Sequence, residues 1–142
     1  MKFDRRYSPT VRRRVALAAA GVGVIPLGLA ARYLLPGSVG DVAGGALYAV
    51  LIYLLVAFVV PRWRPAALGA AALASCFAVE FFQLTPVPST LAEWFPPIAL
   101  VLGSSFVWAD LLAYAAGVVA AGLVDWLAAA HRRRGEVRGE RS

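Results

Sequence analysis

A chain of 142 residues has room for one ordinary domain, but 61% of its residues are apolar and its mean hydropathy is +0.71. That excludes a water-soluble globular domain, in which about half would be apolar. The formal net charge of +6 comes from residues clustered between and beyond long uncharged runs, so it reads as a membrane-orientation signal and not as a nucleic-acid surface, and the single cysteine, Cys76, excludes an intramolecular disulfide or a cysteine-based metal site.

A helix needs roughly 20 apolar residues to cross the hydrocarbon core, and the chain holds four such runs. A basic segment, residues 1–14, carries Lys2, Arg5, Arg6, Arg12, Arg13 and Arg14 and leads into a first predicted helix from Val15 to Leu35. "RRR" before an apolar run resembles a signal peptide, but no A-x-A site closes the run and three more spans follow, so the helix is read as uncleaved. Its "GVGVIPLGLA" includes Pro26, where a kink is expected. "LPGSVGD" reads as a short outer turn, and Asp41 opens a second predicted helix from Val42 to Val60. "PRWRP" is an inner turn, with Pro65 suited to the first turn of a third helix from Ala66 to Leu84.

The next connector, "TPVPSTLAEWFPPIALVLGSS", is the longest. Thr90 and Glu93 fit a capping box, so "STLAEWF" is expected to form one or two helical turns in the outer interface with Trp94 and Phe95 toward lipid. "IALVLG" is too short to span; it either dips into the bundle as a re-entrant segment, the preferred reading, or extends the last helix backwards with a break at Gly103. A fourth helix from Val107 to Ala130 completes a transmembrane domain over 15–131, and the basic tail 132–142 holds Arg132, Arg133, Arg134, Arg138 and Arg141.

The expected fold is an all-α polytopic membrane helix bundle of four transmembrane helices. Of the 14 Lys and Arg residues only Arg32 falls on the side opposite the rest, so the positive-inside rule places both termini in the cytoplasm. Trp63 and Trp126 fall at the predicted inner boundaries and Trp94 and Trp108 at the outer ones, as interfacial indoles should. The expected partners are the lipid bilayer, with anionic headgroups at the cytoplasmic face, and a further copy of the chain if it oligomerises; nucleic acid is not among them. No cofactor is indicated, since no Gly-rich phosphate loop or zinc-protease motif is present and the only histidine, His131, lies among arginines away from the outer acids.

The acids carry the chemistry. Glu80 lies 16 residues beyond Arg64, which puts it roughly 24 Å above the inner boundary, and Asp41 and Asp110 are expected at the same outer level. Glu80 shares a helical face with Gln83, Asp110 with Tyr114 and Gly117, and Asp41 with Gly44, Gly45 and Tyr48. Below them run small residues, Cys76, Ala72 and Gly69 on one helix and Gly117 and Ala121 on another, which allow close approach. A bundle tight at the inner end and polar at the outer end follows, with Glu80 turned inward toward Gln83, Tyr48, Tyr114 or a backbone group. A lipid-facing charge would cost at least about 2.5–3.5 kcal/mol, so an intramembrane acid marks a candidate site unless it serves as interhelical glue. Asp41 and Asp110 can equally cap the helices they begin, and Asp125, near His131 and Arg132, is expected to pair with an arginine at the inner interface.

"GDVAGGALYAVLIYLL", "VEFFQL" and "LVLGSSFVWADLLAYAAG" together resemble a family of small bacterial membrane proteins called domain of unknown function 2809, and more distantly the VanZ-like proteins. The resemblance rests on Asp41 and Tyr48, on Glu80 and Gln83, and on Gly103, Phe106, Trp108, Asp110, Tyr114 and Gly117, and covers most of the chain from the second helix to the fourth. It implies no established activity; a ribosome-maturation name attached to some relatives has no support in these residues, while the VanZ likeness implies a setting in the cell envelope.

Three functions are weighed on this footing. One is an outward-facing acidic pocket for a lipid headgroup or small ligand, built from Asp41, Tyr48, Glu80, Gln83, Trp108, Asp110 and Tyr114. Another is a structural or assembly role in which the polar layer sets helix register, and a third is a proton-coupled transporter in which Glu80 titrates. An enzyme is the minority reading: paired carboxylates could do acid–base chemistry or hold a cation, but nothing in the sequence fixes their distance.

Overall fold

The computed structural model describes residues 8–103 and 107–139. It is helical throughout: α1 (Pro9–Leu34), α2 (Gly37–Val59), α3 (Pro65–Phe82), α4 (Val87–Trp94), a 3-10 turn (Pro96–Ile98), α5 (Ala99–Leu102) and α6 (Trp108–Gly139). Helices α1, α2, α3 and the Trp108–Arg132 part of α6 are long and apolar enough to cross a membrane, so the protein is a multi-pass membrane protein. Lys2, Arg5, Arg6, Phe106 and Arg141, which entered the sequence reading, lie outside the described residues.

The core is a narrow seam where α2, α3 and α6 meet, and α1 packs mainly on α2. Each helix contributes one stripe at intervals of four: Ala49, Tyr53 and Ala57 from α2, Leu68, Ala72, Cys76 and Glu80 from α3, and Tyr114 and Val118 from α6. Most of these are small, so the helices approach closely. The outward faces carry large apolar side chains such as Val22, Leu112 and Val119, all exposed, as a bundle solvated by lipid requires. At Gly117 helices α2 and α6 come so close that an added Cβ would collide with the Ala46 carbonyl. Only glycine lets two backbones meet there.

Both ends of α1 are tied to neighbours. Arg14 donates through Nε to the Phe58 carbonyl at 3.0 Å and through Nη2 to the Val59 carbonyl at 3.3 Å, with its guanidinium 5.6 Å from the Phe58 ring centroid. A cation from one helix thus caps the C-terminal carbonyls of another, where the helix dipole is negative. At the opposite end Arg32 pairs with Asp41 at 3.0 Å in an exposed ion pair.

Three local expectations change. The second helix starts at Gly37, so only Leu35 and Pro36 join α1 to α2, and Asp41 sits in the second turn as a partner of Arg32 instead of opening the helix. Thr90 is not an N-cap: α4 begins at Val87 behind Pro86, and the Thr90 hydroxyl donates to the Pro86 carbonyl at 3.0 Å. Proline at the start of a helix supplied the earlier boundary that the Ser-Thr pair masked. Trp94 and Phe95 are exposed, with Val87 and Leu91 on the same stripe, which fits an interfacial helix. Finally, "IALVLG" is not enclosed by the bundle; α5 packs on α4 and the 3-10 turn, and Leu100 and Val101 are exposed. Four residues of helix give too little length to insert, and Gly103, at φ 69°, turns the chain back before α6.

Candidate functional site

Helices α2 and α6 both begin where α3 ends, and Glu80, Asp110 and Asp41 collect there, as the sequence reading expected. Glu80 is the buried centre of this acidic end, with no exposed surface. Its Oε1 accepts the backbone N–H of Val107 at 2.9 Å and its Oε2 accepts the Tyr114 hydroxyl at 2.9 Å. Val107 directly precedes α6, so the carboxylate of α3 caps the N-terminus of a neighbouring helix, where free N–H groups and the positive end of the dipole favour an anion. Tyr114 brings its ring to 5.9 Å from that of Tyr48, and Tyr48 stands within electrostatic range of Glu80.

Asp110 lies in the first turn of α6, half-buried, within electrostatic range of Glu80, Arg32 and Asp41. The charges therefore grade from the exposed Arg32–Asp41 pair through Asp110 to the enclosed Glu80. Gln83 follows α3 and points to the connector: its Nε2 donates to the Leu102 carbonyl at 2.5 Å, while its Oε1 is buried with no hydrogen-bond partner among the described residues. The Gln83 amide lies against Gly103, where a Cβ would come within 2.6 Å of Nε2. Trp108 is 71% exposed. Of the residues read from the sequence, the structure joins Tyr48, Glu80 and Tyr114 into one contact set, holds Asp110 and Asp41 beside it, and uses Gln83 to fasten the connector.

A second polar node lies at the opposite, basic end, where the sequence reading expected Asp125 to pair with an arginine. Asp125 of α6 accepts Arg13 Nη2 at 2.7 Å and the Tyr53 hydroxyl at 3.1 Å, both on Oδ2. Arg13 Nη1 also donates to the Pro61 carbonyl at 2.5 Å, and its Nε is buried with no hydrogen-bond partner among the described residues. An arginine partner for Asp125 was expected from the tail after α6; it comes instead from the basic run ahead of α1. Arg13 was hidden among six cations that all read as orientation signals, and only three-dimensional packing separates it from them.

Between the nodes, Tyr114 and Asp125 are separated by eleven residues of α6, roughly 16 Å, filled by Ala49, Ala57, Ala72, Cys76 and Val118 in close packing. Neither node presents a metal site: among the described residues no group of three or more His, Cys, Asp or Glu side chains could hold an ion.

Compared with models of known families, residues 34–118 match the family described as protein of unknown function (DUF2809), and the chain belongs to that family. The matched span contains the whole Glu80 node, and leaves Arg13 and Asp125 outside it. No solved structure matches the chain.

Proposed function

We propose that this DUF2809 protein is a structural or assembly component of the bacterial plasma membrane, part of the cell envelope as the VanZ likeness implies, in which the polar layer holds the helices and the connector in register. The observation that carries the reading is the complete enclosure of Glu80 with both oxygens occupied. A ligand acceptor needs an approach from outside, and Glu80, with no exposed surface, offers none in this arrangement. The tightly packed stretch of roughly 16 Å between the nodes likewise counts against a proton path through one copy.

The basic end faces the cytoplasm on this reading, because Arg12, Arg13, Arg14, Arg62, Arg64 and Arg132 gather there, and it attracts anionic headgroups. Orientation is tested with single cysteines in a Cys76→Ala background. A cysteine in place of Glu93 should react with a membrane-impermeant maleimide on intact cells, and one in place of Arg64 only after lysis; the reverse pattern would invert the topology.

A second reading keeps a headgroup site at the acidic end, favoured by Asp110, which stays half-buried beside the exposed Arg32–Asp41 pair. Here Asp110 and Asp41 receive a cationic or hydroxylated headgroup and Glu80 is the strut behind them. Native mass spectrometry decides between the two. Loss of a co-purifying lipid from Asp110→Asn at unchanged thermal stability supports the headgroup site; loss of stability with the same bound lipids supports the structural role.

A further inference from the structure

Two open grooves meet at the basic end, far from the Glu80 node. The first, about 450 Å³, is walled by Ile52, Leu55 and Val56 of α2 and by Ala71 and Ser75 of α3, and is apolar almost throughout. It extends roughly 10 Å along α2 into the hydrocarbon depth. The second, about 690 Å³, lies at the membrane boundary and is lined by Ser8, Thr10, Arg14 and Arg62. Val59, Val60 and Trp63 line both, so the grooves are continuous.

We infer that this double groove is a binding site for an anionic glycerophospholipid, with an acyl chain between α2 and α3 and the phosphate between Arg14 and Arg62. Three features fit that occupant. The apolar limb opens to lipid on its long side, which suits a chain and not a soluble ligand. The polar limb joins it at the level of Trp63, an indole placed where headgroups begin. Two exposed arginines offer charge-assisted hydrogen bonds to a phosphate, and the Ser8 hydroxyl, which accepts from Val11 N–H at 3.4 Å, retains its proton for another acceptor.

The backbone between the limbs is held in place before any lipid arrives. Arg14 binds the Phe58 and Val59 carbonyls and Arg13 binds the Pro61 carbonyl, so α1 fixes residues 58–61 from the side. A site fixed in this way loses little freedom on binding. The inference deepens the reading that the basic end attracts anionic headgroups, by narrowing a diffuse attraction to one groove of defined shape.

The test uses Trp63 as the reporter, in full-length protein carrying Trp94→Phe, Trp108→Phe and Trp126→Phe. Phosphatidylglycerol or phosphatidylcholine with brominated acyl chains is titrated into detergent micelles, and quenching of Trp63 is followed. Phosphatidylglycerol should quench at a mole fraction about ten-fold lower than phosphatidylcholine. Arg62→Gln should remove most of that preference, and Ser75→Phe, which fills the apolar limb, should abolish saturable quenching while the thermal midpoint stays in place. Equal quenching by the two lipids overturns the site and the general attraction together. A preference that survives Ser75→Phe and fades only with salt overturns the site alone and leaves the diffuse attraction standing.

Discussion

The Glu80 carboxylate of α3 accepts the N–H of Val107, 27 residues later, at 2.9 Å, and so ties the end of one membrane helix to the beginning of another. The Tyr114 hydroxyl bonds the second oxygen from about two turns further along α6. A side chain that reads in the sequence as a misplaced charge is a cap supplied to α6 from another helix.

Removing that cap should cost stability in proportion to what is left unpaired. Glu80→Gln keeps one acceptor and is expected to lower unfolding free energy in detergent by about 1 kcal/mol, and Glu80→Leu by about 1–3 kcal/mol. Glu80→Leu combined with Tyr114→Phe should lose less than the two single changes summed, because the hydroxyl no longer lacks an acceptor. Strict additivity in this cycle, measured by reversible unfolding, would show that the pair is not coupled.

At Gly117 the α2–α6 contact leaves no space for even a methyl group. Gly117→Ala should destabilise by about 1–3 kcal/mol through overpacking. Gly23→Ala, in α1 with nothing within 4 Å of the added carbon, should be neutral or stabilise by up to about 1 kcal/mol. Thermal midpoints of the two variants, side by side, check the contrast.

The two ion pairs should differ in weight. Arg13 and Asp125 expose only 24% and 12% of their side chains, whereas Arg32 and Asp41 each expose 57%. Arg13→Met strands Asp125 with Tyr53 alone and is expected to cost about 2–3 kcal/mol, and pairing it with Asp125→Leu should recover part of that loss. Asp41→Asn should change stability by no more than about 0.5 kcal/mol. A dependence on salt for the first pair as strong as for the second would contradict the difference in burial.

The connector is held at two points, Gln83 on Leu102 and Glu80 on Val107. Gly103→Ala places a Cβ against the Gln83 amide and forces a left-handed backbone on alanine, so it should loosen the connector without unfolding the spans. Hydrogen exchange is the readout: amides of residues 98–103 should lose protection, while those of α2 and α3 keep theirs.

The spans and the acidic level were legible in the sequence because both follow from local quantities, run length and distance along a helix. Burial of Glu80 was legible too, since a charge in an apolar run must turn inward. What could not be read was which partner each polar group chooses. Tyr114 was one candidate for Glu80 among several, and nothing local marked the Val107 N–H, whose approach depends on how the connector folds. Arg13 and Tyr53 escaped notice for the same reason: their contact with Asp125 spans 112 and 72 residues and is made only when α1, α2 and α6 have packed. Proline at positions 65 and 86 announced helix starts correctly in one case and was passed over in the other, where Thr90 and Glu93 offered a competing signal.

The partner of Glu80 lies 34 residues downstream of it, which has a consequence for biosynthesis. At translation speeds of about 5–20 residues per second, α3 is complete roughly 2–7 s before Tyr114 is even synthesised. Over that interval the nascent chain holds an acid whose capping helix does not yet exist. The newborn α3 therefore has to wait with Glu80 shielded by the insertion machinery or near the water boundary, and the arrival of α6 is the event that closes the seam. Truncation after α3 should accordingly yield a fragment that is degraded or retained by the insertion apparatus, and co-expression of the missing α4–α6 segment should rescue it.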